Sequence, residues 1–266
     1  MSKKPQQRQK HPPGRTPVTK TKSVEANQRP LVYWILLVAG ITAVCFYPML
    51  KNDFTNWDDE LYVLKNLLLR GPDWKGIFTE PVVGNYHPLT IITLAVNYQL
   101  TGLDASSYLL FNYILHIANT VLVFYFVWMI SGKNRWVALF TALLFGIHPM
   151  HVESVAWISE RKDVLYTLFF FPSLIFYWIY LQGKKATAYI LCLVFFILSL
   201  LSKPAAIILP LVLFLLDYFN GRALTVRSVL EKVPFLLFSL AFGIITVMIQ
   251  SESAIAGLEM YPAWAR

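Results

Sequence analysis

Charge is scarce in this chain of 266 residues: Asp, Glu, Lys and Arg together make up 14%, against 56% hydrophobic and 15% aromatic residues. A soluble domain carries nearly twice that share of charge, so the composition is that of a polytopic membrane protein. Cysteine is almost missing as well. Cys45 and Cys192 both fall inside apolar runs and match no paired or metal-binding spacing, which excludes a disulfide framework and a cysteine zinc site. No small-residue cleavage site follows the first apolar run, and the basic stretch before it is too long for a signal peptide. No internal repeat of the kind that builds many transporters is present. Acids are the rarer charge, 15 against 23 Lys and Arg, for a net charge of +8. That excess sits mostly in the first thirty residues and in short loops between apolar runs, a placement that fits membrane orientation and argues against nucleic acid as a partner.

What is present is a succession of apolar runs. Residues 1–30, rich in Lys, Arg, Gln and Pro, are expected to be a disordered cytoplasmic tail. Spans are expected over 31–50, 108–131, 137–147, 165–181, 189–201, 205–216 and 233–250, an all-α integral membrane bundle of about seven helices in which Pro149, Pro204 and Pro210 end or kink helices. The segment 88–103 is apolar but short and carries Asn97 and Gln99, so it is expected to lie flat at the interface within a first outer loop, 51–106. With that choice the tail and loops 132–136, 182–188 and 217–232 hold fifteen Lys and Arg against three acids. The other face holds eight against twelve. The positive-inside rule then places the amino terminus in the cytoplasm.

Two polar islands fall on the opposite face. One is Asn56, Trp57, Asp58, Asp59 and Glu60; the other is the sixteen residues from His148 to Asp163, HPMHVESVAWISERKD. Ionisable groups are costly at such places unless they face water, a partner or a substrate, so both mark a functional site. Ser202, Lys203 and Pro204 form a third loop on that face. His148 and His151 with Glu153 offer metal ligands, yet HxxHxE lacks the two-histidine spacing of HExxH, and helix capping is the competing reading. Arg161 and Lys162 lie between Glu160 and Asp163, so internal ion pairs compete with phosphate contact. Asn112, His116 and Asn119, at i, i+4 and i+7, make an interhelical hydrogen-bonding face.

These residues resemble a known family. Trp57, Asp58, Asp59 and Tyr62 of the first loop, Tyr86 to Thr90 with Asn97 and Tyr98, the FNYILHIANT run, and HPMHVESVAWISERKDVL are similar to the polyprenyl-linked glycosyltransferases of the GT-C superfamily. The nearest likeness is to the membrane part of the transmembrane and tetratricopeptide-repeat proteins, whose animal members look like O-mannosyltransferases. It covers roughly 31–250, and it implies a GT-C-like membrane domain with a helical first outer loop. It also implies that 251–266 begins a further outer loop and that the chain is truncated before more helices and a tetratricopeptide-repeat domain. At His87 the family commonly carries a different basic residue.

The resemblance implies a sugar, mannose among the candidates, carried on a polyprenyl phosphate and moved to a protein or glycan acceptor outside the cytoplasm. It puts the catalytic carboxylate at the acidic pair, with Asp58 as base and Asp59 and Glu60 orienting it or binding a divalent ion. His87, Arg161, Lys162 and Lys203 are the candidate phosphate and substrate contacts. His148, His151, Glu153 and Asp163 are structural or metal-binding candidates. The membrane is expected to be a bacterial inner membrane with the site periplasmic, the alternative being the endoplasmic reticulum facing the lumen. A transporter or flippase, and a non-catalytic scaffold for a repeat domain, are the competing functions.

Overall fold

In the computed structural model residues 30–71 and 73–253 are described. The expected tail over 1–30 and loop over 251–266 fall outside them, apart from Pro30 and the helical residues 251–253. Helix α1, Leu31–Phe46, continues as a 3-10 turn through Tyr47–Lys51. The first loop then carries a π turn at Glu60–Leu64, a 3-10 turn at Leu67–Leu69 and α2, Trp74–Thr79. After it come α3 Pro88–Thr101, α4 Ala105–Ile130, α5 Arg135–Gly146 and α6 His151–Ala156. The 3-10 turn Ile158–Glu160 leads into α7 Arg161–Gly183 and α8 Ala186–Ser202. The turn Pro204–Ile208 precedes α9 Leu209–Phe219, α10 Val226–Leu230 and α11 Val233–Ser253. There is no strand among the described residues, as an all-α fold requires.

Local chemistry sets the ends. Asp104 accepts from Ser106 N and opens α4. Asn134 accepts from Trp136 N and Val137 N and opens α5. Asp73 caps α2. Such caps satisfy amide donors that the first turn leaves free.

Four of the seven expected spans are long and apolar enough to cross a bilayer: Leu31–Lys51, Ala105–Ile130, Ile158–Gly183 and Val233–Ser251. The other three are the shorter helices Arg135–Gly146, Ala186–Ser202 and Pro204–Phe219. At 1.5 Å per residue the twelve residues of α5 rise only about 18 Å, well short of a hydrocarbon core. Of the seven expected spans, length and apolarity thus support four.

The helices alternate in direction, and this is what builds the site. Near the start of α4, Asn112 accepts from Arg161 at the start of α7. Further along, Asn119 Nδ2 donates to Val164 O at 2.8 Å, and the rings of Phe126 and Phe171 lie 6.0 Å apart, so α4 and α7 run the same way. Helix α8 returns along α7, with Tyr180 beside Tyr189 at one end and Ser199 Oγ donating to Tyr166 O at the other. Helix α1 runs against α4: Tyr113 OH donates to Ala43 O near the end of α1, whereas Val38, nearer its start, is buried with Val123 and Phe124 further along α4. Helix α5 also runs against α4, bringing Gly146 O to His116 Nε2 at 2.9 Å. The ends of α1, α5 and α8 and the starts of α4 and α7 therefore share one end of the bundle.

At that end lies a buried apolar cluster that includes Tyr62, Val63, Leu69, Ile91, Leu94, Tyr108, Leu109, Val155 and Ile158. It glues the first loop and α3 onto the helix ends. Thr90 Oγ1 of α3 donates to Ser202 O at 2.8 Å, tying that helix to the end of α8.

Candidate functional site

The two polar islands meet. Asp59, fully buried, accepts from Thr55 N at 2.9 Å and Thr55 Oγ1 at 3.1 Å on its own loop. It also accepts from Ser159 N at 2.8 Å and from Ser159 Oγ, a hundred residues away. Its carboxylate is the rivet between the first loop and the Ile158–Glu160 turn. Asp58, its neighbour, is half-buried and has no side-chain partner among the described residues; only its backbone carbonyl is engaged, by the amides of Leu61 and Tyr62. Successive residues of a turn point about 100° apart, so anchoring one carboxylate inward leaves the other facing out. Glu60 turns away to pair with exposed Lys65 at 2.5 Å.

Beneath Asp58 sits Tyr62. Its buried hydroxyl accepts from Asn85 Nδ2 at 3.3 Å, and burial drives its acidity down. The Lys162 ammonium lies 4.9 Å from the Tyr62 ring centre and pairs with Glu160 at 2.6 Å. Glu160 also faces Lys203 at 3.6 Å, and Lys203 pairs with Asp163, whose other oxygen accepts from Ser154 Oγ at 3.1 Å. Burial pulls the Lys203 pKa down, but Asp163 and Glu160 outweigh it and hold the ammonium above its ordinary value. Two cations and two carboxylates thus alternate along the floor of the site.

The His87 ring lies tilted 5.3 Å from that of Tyr62 and is 2% exposed, with no partner on either ring nitrogen among the described residues. Burial, reinforced by the charges of Lys162 and Lys203, pushes its pKa down to about 3. At neutral pH it is therefore an uncharged imidazole with one donor and one acceptor free, rather than the cation its position suggests.

Arg161 has another occupation. It is fully buried at the start of α7, where Nε donates to Asn112 Oδ1 at 2.9 Å, Nη1 to Thr93 O and Asn97 Oδ1, and Nη2 to Tyr108 O at 2.9 Å. Its guanidinium joins α3, α4 and α7 through neutral acceptors, and those bonds leave it turned away from the Lys162 and Lys203 ammonium groups.

The histidine run is dispersed. His148 Nδ1 accepts from Met150 N within its own turn, a local bond just ahead of α6, whose N-cap Met150 makes no side-chain cap. His151 faces inward, its ring 5.6 Å from His116, and burial followed by the charge of His148 lowers its pKa. Glu153 is exposed. Among the described residues no three His, Cys, Asp or Glu side chains gather where a metal ion could sit. The predicted face of α4 holds as drawn: Asn112, His116 and Asn119 each bond across to a neighbouring element.

Next to the ion pairs a cavity of about 470 Å³ opens, lined by Asp163, Lys203, His151, Ser154, His116 and Asn119. Asn119 is 1% exposed, and its Oδ1 has no donor among the described residues. Reasoning from the sequence missed Tyr62 as the platform, Asn85 as its partner and Ser159 as the anchor. Tyr62 alone carried a signal, three residues beyond Asp59 on one turn.

Curated relatives repeat the likeness found in the motifs. Protein O-mannosyl-transferase TMTC1 of Homo sapiens is 35% identical over 153 residues, 53% of this chain and 17% of that protein. The Xenopus laevis protein O-mannosyl-transferase tmtc2 is 29% identical over 74% of this chain and 25% of its own length. Protein O-mannosyl-transferase F38B6.6 of Caenorhabditis elegans is 26% identical over 78% and 31%. The chain thus spans no more than about a third of the length of these relatives. No family model matches it, and no solved structure does.

Proposed function

We propose, with that similarity to protein O-mannosyl-transferases as the premise, that this membrane unit moves a hexose from a polyprenyl-phosphate carrier to a hydroxyl of a protein or glycan outside the cytoplasm. The observation that carries the reading is the pairing of an unengaged carboxylate, Asp58, with a floor of lysines, all at one end of the bundle. Asp58 accepts the proton of the acceptor hydroxyl. The hydroxyl oxygen bonds to the anomeric carbon as the bond from that carbon to the phosphate oxygen breaks, and the electron pair leaves with the phosphate. Lys203 and Lys162 meet the charge that grows there. His87, neutral and with both nitrogens unpartnered among the described residues, donates a hydrogen bond without adding to the cost of a third cation. The cavity lined by His151, Ser154 and Asn119 offers hydroxyl partners for the sugar.

Arg161 is assigned to structure in this scheme, as is Asp59. The outer-face placement follows the charge bias of the loops, with α3 lying along the interface; an endoplasmic reticulum lumen and a bacterial periplasm suit it equally. The transporter and scaffold readings are not favoured, because the relatives bear transferase names. The test is transfer by the full-length protein reconstituted in vesicles, with labelled mannose supplied either on a polyprenyl phosphate or as a nucleotide sugar. Label should reach an acceptor peptide only from the lipid. Equal transfer from the nucleotide sugar would refute the scheme.

A further inference from the structure

At the opposite end of α4 and α7, away from the candidate site, a second concavity of about 570 Å³ lies between the last turns of the two helices. Tyr125, Trp128 and Trp178 form aromatic walls, Met129 and Ile179 an apolar one, and Lys133 and Lys185 stand at the rim. We propose that it binds the headgroup of an anionic glycerophospholipid from the leaflet at that end.

Depth is the first argument. The two candidate spans Ala105–Ile130 and Ile158–Gly183 end at this concavity, and both lysines come two or three residues beyond them. Helix α4, at 26 residues, rises about 39 Å, so the concavity lies a bilayer's thickness from Asp58 and its neighbours. Trp and Tyr at this level match the interface, where one edge of the ring is apolar and the other wet. A ligand filling the concavity touches hydrocarbon on one side and two ammonium groups on the other.

Charge is the second. Neither Lys133 nor Lys185 pairs with a carboxylate of the described residues. Lys133 is held at a φ of 67°, uncommon for a residue with a side chain, and its ammonium lies 5.8 Å from the Trp128 ring centre. The neighbouring Lys184 is placed elsewhere, over Tyr180 at 4.6 Å. Two uncompensated cations over an apolar, aromatic floor select a phosphate that carries acyl chains, whereas a zwitterionic headgroup would bring its own ammonium against them.

The experiment uses the full-length protein in detergent, titrated with phosphatidylglycerol, phosphatidylcholine or inorganic phosphate and followed by native mass spectrometry and thermal melting. Two double variants accompany it: Lys133→Gln with Lys185→Gln, and, as a charge control at the other end, Lys51→Gln with Lys75→Gln. All four lysines are exposed, so both variants should fold, and melting without lipid checks this. Wild type should retain phosphatidylglycerol over phosphatidylcholine. That preference should fall roughly thirtyfold in the Lys133/Lys185 variant, from about 1 kcal/mol per lysine. It should persist in the control, and phosphate alone should do nothing. Equal retention of the two lipids, a preference that survives in the Lys133/Lys185 variant, or the same stabilisation by phosphate alone would overturn the proposal.

Discussion

Asp58 and Asp59 are adjacent, alike in chemistry, and opposite in circumstance. Asp59 takes four hydrogen bonds in a fully buried setting and ties two distant loops together. Replacing it with Asn turns one acceptor oxygen into a donor facing donors. The expected loss is about 2–4 kcal/mol of stability, read as a lowered melting temperature in detergent, since bonds to buried charged groups are each worth about 1.5–3 kcal/mol. A melting temperature within a degree of wild type would contradict the rivet. His87 makes a second prediction. Its pKa falls from an ordinary 6.5 to about 3 on folding, so the unfolded chain binds the proton more readily than the native one. Its contribution to stability is whole above pH 6.5 and is lost as pH falls toward 3, at up to about 1.4 kcal/mol per pH unit. Wild type should therefore melt progressively earlier from pH 6.5 to 4.5, and His87→Gln should flatten that slope. An unchanged slope would mean that His87 is solvated or charged in the native protein.

Arg161 and Lys162 show at the level of the element what a linear reading cannot. Both open α7, and the letters offer both either as phosphate contacts or as ion-pair partners of Glu160 and Asp163. One residue of helical rotation sends Arg161 inward to join α3, α4 and α7, and leaves Lys162 against Glu160 and Tyr62. Composition shows that charge is present near a helix start; the direction of each side chain depends on packing partners such as Asn97 and Asn112, 64 and 49 residues away. Arg161→Met should cost about 3 kcal/mol, because it strands the amide and carbonyl oxygens that the guanidinium now satisfies. Limited proteolysis should then cut sooner around α3, whose Asn97 and Thr93 would lose their tether. Unaltered cleavage there would show that α3 is held by its apolar face alone. The long helices α1, α4, α7 and α11 were legible because length and apolarity are properties of the letters. The shorter α5, α8 and α9 were legible as helices but not as complete crossings, since Asn134 sets where α5 begins, Pro204 follows the end of α8, and Pro210 sits in the first turn of α9.

For the molecule as a whole, the alternation of helix directions gathers the acids of the first loop, the SERKD turn and Lys203 at one end, and leaves Lys133 and Lys185 at the other. Convergence of the two islands was readable from the parity of apolar runs and the bias of basic loops. The bond that fixes it, Asp59 to Ser159, was not, because nothing in either segment names its partner. The central claim is that the carboxylate left unengaged by this architecture does the chemistry. Asp58→Asn tests it most directly, since Asp58 bonds no described side chain and its loss should leave folding intact. In a transfer assay with labelled mannosyl phosphoryl polyprenol and full-length protein, Asp58→Asn should melt within about a degree of wild type and lose more than 99% of transfer, a fall in line with removal of a general base. Transfer at the wild-type rate from a folded Asp58→Asn protein would contradict the account.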